Sequence, residues 1–195
     1  QYDALNLPFR IQPNSFGNIK NLSVAGLSDE VDFKSETIRT TSNRVVKERR
    51  QTAWQGDEHV AAFAYSGKSM IRKSFSPVVL KVRNQLSHQT GHLYDGCLLN
   101  LYPDGGSGMR YHIDPDQGSL WGYETVVVSV GATRKFSFRA IPDEGGVDQD
   151  CSTHVFTLMH GDMTEMFGDC QQRFQHTVKN AEVKNEKSAR ASLVF

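Results

Sequence analysis

Three side chains dominate the chemistry available to this chain. In Tyr111-His112-Ile113-Asp114 an imidazole and a carboxylate stand two residues apart, so a strand would turn both to one face. His176, in Phe174-Gln175-His176-Thr177-Val178, falls in another strand-like run and supplies a second imidazole. Two histidines and one carboxylate are the donor set of non-haem Fe(II) oxygenases, and they leave coordination positions open for a chelating co-substrate and O2. Asn100 and Tyr102 share a strand face just upstream. Arg190 stands in the apolar run 189–195, where a guanidinium needs an anion. A dicarboxylate that chelates iron at one end would present such an anion at the other.

Elements able to hold these groups are legible around them. Strand-like runs cover 97–102, 109–114, 124–131, 133–139, 153–159, 162–167, 174–178 and 189–195. Turns such as Pro103-Asp104-Gly105-Gly106 and His160-Gly161-Asp162 separate them. Val78, Val79, Val82 and Leu86 have helical spacing over 77–88. The expectation is a mainly β fold with flanking helices, a sandwich or jelly roll. With 195 residues the chain reads as one domain. Within it, 96–195 form the β core, while 1–95 supply an N-terminal extension, a helix and a lid over the site.

Composition excludes several classes. Lys and Arg number 22 and so do Asp and Glu, so bulk charge does not drive association with nucleic acid. The longest apolar run, 126–130, is far too short to span a membrane. Three widely spaced cysteines argue for a reducing, intracellular setting, nucleus or cytoplasm, rather than a disulfide framework. Cys151 and His154 have zinc-like spacing, but one such pair makes a poor zinc site. The remaining histidines read as non-ligands.

The ordered series Leu98-Leu99-Asn100-Leu101-Tyr102, His112-Ile113-Asp114-Pro115-Asp116, the hairpin from Val128 to Arg139, Leu158-Met159-His160-Gly161-Asp162, His176 and Arg190 resembles the AlkB-type Fe(II)/2-oxoglutarate-dependent dioxygenases, in particular their nucleobase-demethylating branch. The resemblance implies a double-stranded β-helix that uses Fe(II), 2-oxoglutarate and O2. It implies iron held by His112, Asp114 and His176. Arg190, helped by Tyr102, would take the distal carboxylate of 2-oxoglutarate, with Asn100 near the chelating end and Ser192 a weaker contact. The family's usual second arginine would fall at position 196, so the chain reads as a trimmed catalytic core.

The substrate implied is an N-alkylated base such as 1-methyladenine or 3-methylcytosine in DNA or RNA, bound by a monomer. Asp116 would meet an exocyclic amino group, and Trp54 and Tyr65 offer faces on which a base could stack. Arg44, Lys47, Arg49 and Arg50 against Glu48 make a local +3 stretch beside the lid, with Arg72 and Lys73 extending it. Arg134 and Arg139 belong to the hairpin and would face phosphate or solvent. A same-fold oxygenase acting on protein side chains or a small molecule is the alternative; a catalytically idle binding module is a third.

Overall fold

The structure, a computed structural model, describes residues 6–39, 42–65, 67–114, 124–142, 152–183 and 186–195. Two sheets face one another. The larger has six strands in the order β1 (Phe9–Gln12), β11 (Met163–Met166), β8 (Thr125–Gly131), β13 (Arg190–Val194), β7 (Gly96–Tyr102) and β4 (Gln51–Gly56). The smaller places β9 (Arg134–Ala140) between β10 (Thr153–Leu158) and β12 (Phe174–Val178). Every pairing in both sheets is antiparallel. Two hairpins lie outside them: β2 (Thr37–Arg39) with β3 (Val45–Lys47), and β5 (Phe63–Tyr65) with β6 (Lys68–Met70). The helices are α1 (Val24–Glu30), α2 (Pro77–Thr90) and the single turn α3 (Cys170–Arg173). The expected jelly roll is therefore present, and segments 1–95 and 96–195 share its main sheet, with β1 and β4 as the sheet's edges.

Alternation along the strands sorts the chain into two interiors. On β7, β8 and β13, one face (Cys97, Leu99, Leu101; Val126, Val128, Val130; Ala191, Leu193) joins a core with Leu27 of α1 and Val78, Val79, Val82 and Leu86 of α2. The four α2 residues form the apolar stripe read from the sequence. Pro77 stands at its first turn, and Gly91, at φ +76°, closes it by donating to the Ser87 carbonyl at 2.9 Å. The opposite face carries Tyr102, Val127 and Val194, which pack on Phe136, Phe138, Phe174 and Val178 of the small sheet. The polar residues of this second row, Asn100, Ser129, Arg190 and Ser192, are consequently buried between the sheets.

Gly131 ends β8 at φ +86°, and a β-carbon there would lie 2.5 Å from Val24 and 2.8 Å from the Ala189 carbonyl. Only glycine fits that turn beside Arg190.

Run 109–114 departs from expectation. It is irregular, with one bridge in which His112 and His176 exchange both backbone hydrogen bonds, at 3.0 and 2.8 Å. Met109 donates to the Val178 carbonyl at 2.9 Å. From there to the bridge, three residues advance on one side against two on β12, and that extra residue breaks the ladder.

Candidate metal centre

Direct pairing of His112 with His176 sets their rings side by side, with centroids 4.3 Å apart. Asp114 Oδ1 lies 3.8 Å from His112 Nε2 and 3.5 Å from His176 Nε2. One donor atom from each residue falls within 4.8 Å of the others, the only such histidine, cysteine and carboxylate cluster among the described residues.

The remaining atoms of His112 and Asp114 fit a metal as well, while His176 Nδ1 is buried with no partner among the described residues. His112 Nδ1 lies 2.9 Å from the Arg110 carbonyl, so that nitrogen carries the proton and Nε2 offers its lone pair. Burial first, then His176 and Arg50, pull His112 down to about 4 against the Asp114 carboxylate and the Arg110 carbonyl, so the ring is neutral at pH 7. Burial works against the Asp114 carboxylate, yet His176, His112 and the Gln171 amide outweigh it and hold its pKa below the usual value. Asp114 Oδ2 accepts from Gln171 Nε2 at 2.7 Å, leaving Oδ1 turned to the imidazoles. His176 is buried, its ring stacked on Phe136 at 5.6 Å.

A cavity of about 230 Å³ opens over these ligands. Asn100, Tyr102 and Ser192 line one part of its wall, and Glu48, Arg50, Phe63 and Met109 another. Register fixes the first group: Ser192 stands between Asn100 and Ser129, and Arg190 between Tyr102 and Gly131.

Arg190 is 1% exposed, and its Nη2 donates to Ser129 Oγ at 3.0 Å. Among the described residues its Nε and Nη1 have no hydrogen-bond partner, and no carboxylate pairs with it. Asn100 Oδ1 is also buried without a partner. Unmet polar atoms of this kind are costly, and a chelating dicarboxylate has the groups to satisfy them. Burial lowers the Arg190 pKa, with the Tyr102 side chain opposing it.

The substrate-side residues distribute differently. Arg50 turns inward: its Nε donates to Glu48 Oε1 at 3.1 Å, and it lines the cavity instead of joining an exposed basic track. Arg44, Lys47 and Arg49 are exposed, and Arg49 Nη1 donates to the Gly106 carbonyl at 3.1 Å. Trp54 is 6% exposed and donates from Nε1 to the Ala61 carbonyl at 2.9 Å. Its ring packs 4.9 Å from Phe63, over Gly96, where a β-carbon would lie 2.6 Å from the indole. Of that pair, Phe63 is the one lining the cavity. Tyr65 lies on β5 but its side chain, like Asp116 and Cys151, falls outside the described residues.

Arg134, expected on phosphate or solvent, is instead 4% exposed and donates to the Thr133 and Ser188 carbonyls at 3.0 and 2.9 Å. Arg139 stacks 4.1 Å over the Tyr111 ring. Arg72 donates to the Gly56 carbonyl at 2.9 Å.

Two residues of the site escape sequence reasoning. Gln171 stands 57 positions from Asp114, and no local pattern marks it. Glu48 reads as one acid in a basic run, yet it is buried between Arg50 and Lys68, 2.5 Å from the Lys68 ammonium.

A jelly roll with two imidazoles and one carboxylate beside an unpaired buried guanidinium defines a non-haem, metal-dependent oxygenase site. The profile of the 2OG-Fe(II) oxygenase superfamily matches residues 17–195, and the chain belongs to that family, as an AlkB-type dioxygenase using Fe(II), 2-oxoglutarate and O2. "Uncharacterized protein R406" of Acanthamoeba polyphaga mimivirus is 31% identical over 160 residues, covering 82% of this chain and 79% of that one. Bovine (Bos taurus) "Alpha-ketoglutarate-dependent dioxygenase alkB homolog 3" is 32% identical over 133 residues, 66% of this chain and 45% of its own length. Bovine "DNA oxidative demethylase ALKBH2" is 33% identical over 90 residues, 46% of this chain and 32% of its own. The chain thus spans less than half the length of these two bovine relatives. The solved structure of OsALKBH1 superposes with a TM-score of 0.56 at 14% identity, covering 97% of each chain, and shows the shared fold. No helix among the described residues is long and apolar enough to cross a membrane.

Proposed function

We propose that the chain oxidatively demethylates N-alkylated bases, such as 1-methyladenine and 3-methylcytosine, in DNA or RNA. In this reading His112, Asp114 and His176 hold the iron. Arg190 grips the distal carboxylate of 2-oxoglutarate through its two unsatisfied nitrogens, with Tyr102 beside it and Asn100 and Ser192 nearer the chelating end. Bound Fe(II), with 2-oxoglutarate and O2, supplies hydroxylation of the N-methyl carbon as 2-oxoglutarate leaves as succinate and CO2; the methyl departs as formaldehyde.

The protein's own part is placement. The apolar wall of Leu98, Val127, Phe136 and Val194 excludes water around the ligands. Arg50, Phe63 and Met109 bound the space for an extruded base, since a paired base cannot reach a buried site. Asp116 would accept from the exocyclic amino group and Tyr65 would stack on the base, while Trp54, which does not line the cavity, backs Phe63.

One observation supports the substrate class most. Hairpin β2–β3 contributes Ile38 to the cavity wall and exposes Arg39, Arg44 and Lys47, which could meet the phosphates of a strand entering the site. A relative whose name is DNA oxidative demethylase supports the same reading.

The test is incubation with Fe(II), 2-oxoglutarate and single- and double-stranded DNA and RNA oligonucleotides carrying methylated bases, scored by mass. Loss of one methyl as formaldehyde, coupled to succinate, is expected. No mass change on any oligonucleotide refutes the proposal and turns the search to protein side chains or small molecules. In an Asp116→Ala variant, base preference should shift more than 2-oxoglutarate turnover does.

A further inference from the structure

The bridge that unites His112 and His176 stops short of Asp114. Both histidines have their backbone groups satisfied by each other, but Asp114, two residues on, has no strand partner among the described residues. A buried amide must still find an acceptor. Asp114 donates from its backbone nitrogen to Gln171 Oε1 at 3.0 Å, and Gln171 Nε2 donates to Asp114 Oδ2 at 2.7 Å. One primary amide thus grips both the main chain and the carboxylate of a single residue, closing a ring across 57 positions.

We infer that Gln171 is a positioning residue for the metal centre: it stands in for the missing strand pairing at Asp114 and occupies Oδ2, so that one oxygen, Oδ1, is offered to the metal. The inference rests on the reading of His112, Asp114 and His176 as metal ligands.

Two observations and one argument favour a positioning role over general packing. Gln171 sits on α3, the single turn that runs directly into β12, so the same short segment carries both the clamp and the ligand His176, five residues apart. Its amide is spent on Asp114, with a further 3.8 Å contact from Nε2 to Met166 Sδ as its only other hydrogen bond among the described residues. Orientation matters too. Were Asp114 free to rotate about its terminal bond, both oxygens could swing toward the imidazoles and take a position that a chelating co-substrate or O2 needs. Partners of metal ligands in this relation change metal affinity or activity by roughly 10–100-fold when removed.

The test is a double-mutant cycle on metal affinity, read without turnover. Gln171→Leu removes both hydrogen bonds, and Gln171→Met does so with an unbranched chain should the leucine variant fail to fold. Mn(II) affinity is measured by paramagnetic resonance. Ni(II) affinity is measured by calorimetry, because nickel binds nitrogen sites more tightly and keeps weakened variants measurable. The expected result is a 10–100-fold loss in the parent background and less than a twofold loss when Asp114→Ala is already present, because the clamp acts through Asp114. Unchanged affinity in a folded variant, or an equal loss in both backgrounds, overturns the inference. Should Asp114→Ala alone leave metal affinity untouched, the ligand assignment itself fails, and the two failures are thereby distinguishable.

Discussion

Arg190→Met separates binding from stability at one buried side chain. In the parent, Nη2 meets Ser129 Oγ while Nε and Nη1 go unsatisfied, so the guanidinium carries most of its desolvation cost without an anion. Methionine removes that charge, keeps a long unbranched chain against Tyr102, and forfeits a single hydroxyl contact worth about 1 kcal/mol. The ligand-free protein should therefore be no less stable than the parent within about 1 kcal/mol, or more stable.

Binding should respond in the opposite sense. A bidentate carboxylate contact comprises two charge-assisted hydrogen bonds at roughly 1.5–3 kcal/mol each, so about 3–6 kcal/mol is at stake. At about 1.4 kcal/mol per tenfold, 2-oxoglutarate affinity should fall by 100-fold or more. The assay is calorimetric titration of 2-oxoglutarate into Mn(II)-loaded protein, with thermal melts in parallel. In the parent, 2-oxoglutarate at 100 times its Kd adds about 2.7 kcal/mol. For a domain this size that raises Tm by roughly 5–10 °C, and the shift should vanish in the variant. Affinity within threefold of the parent would refute the assignment. So would a ligand-free variant destabilised by about 3 kcal/mol or more, since that loss belongs to a guanidinium already paired within the fold.

Three further outcomes follow from the geometry. His112→Ala and Asp114→Ala should each abolish succinate formation coupled to substrate oxidation while circular dichroism stays that of the parent; persisting coupled turnover would sink the ligand assignment. Glu48→Gln leaves the Lys68 and Arg50 side chains, 6% and 11% exposed, short of their shared carboxylate. The loss should be about 3 kcal/mol in chemical denaturation, tempered by Glu36 standing 3.6 Å from Lys68. Gly131→Ala should cost more than about 2 kcal/mol, because its β-carbon meets Val24 and the Ala189 carbonyl at a positive φ; urea melts measure it. An alanine variant as stable as the parent would show that this turn relaxes freely.

Much of the site was legible because its chemistry is written in local spacing. Alternation alone put Asn100 with Tyr102 on a common face, and their burial between sheets follows from apolar neighbours on either side. The helix, read over 77–88 and found over Pro77–Thr90, announced itself through the stripe Val78, Val79, Val82 and Leu86. Strand spacing also suggested that His112 and Asp114 share a face. They do converge, but not through a strand: an extra residue against β12 breaks the ladder, and a side-chain amide 57 positions away aligns the carboxylate.

Long-range pairing decided the rest. Nothing in a basic run with a single acid separates Arg50, drawn to a buried Glu48, from Arg44 and Lys47, left at the surface. That depends on where the pairing of β4 with β7 places the residues just before it and on Lys68 arriving from another hairpin. Trp54 likewise had to find Gly96 across the sheet before its ring could pack, tilted, against Phe63. The sequence by itself determined the donor set, the apolar faces and the buried cation, because each rests on residue type and a period of two. Only the tertiary structure decided which atoms remain unsatisfied, because a hydrogen bond is lost or kept by partners the chain brings from far away.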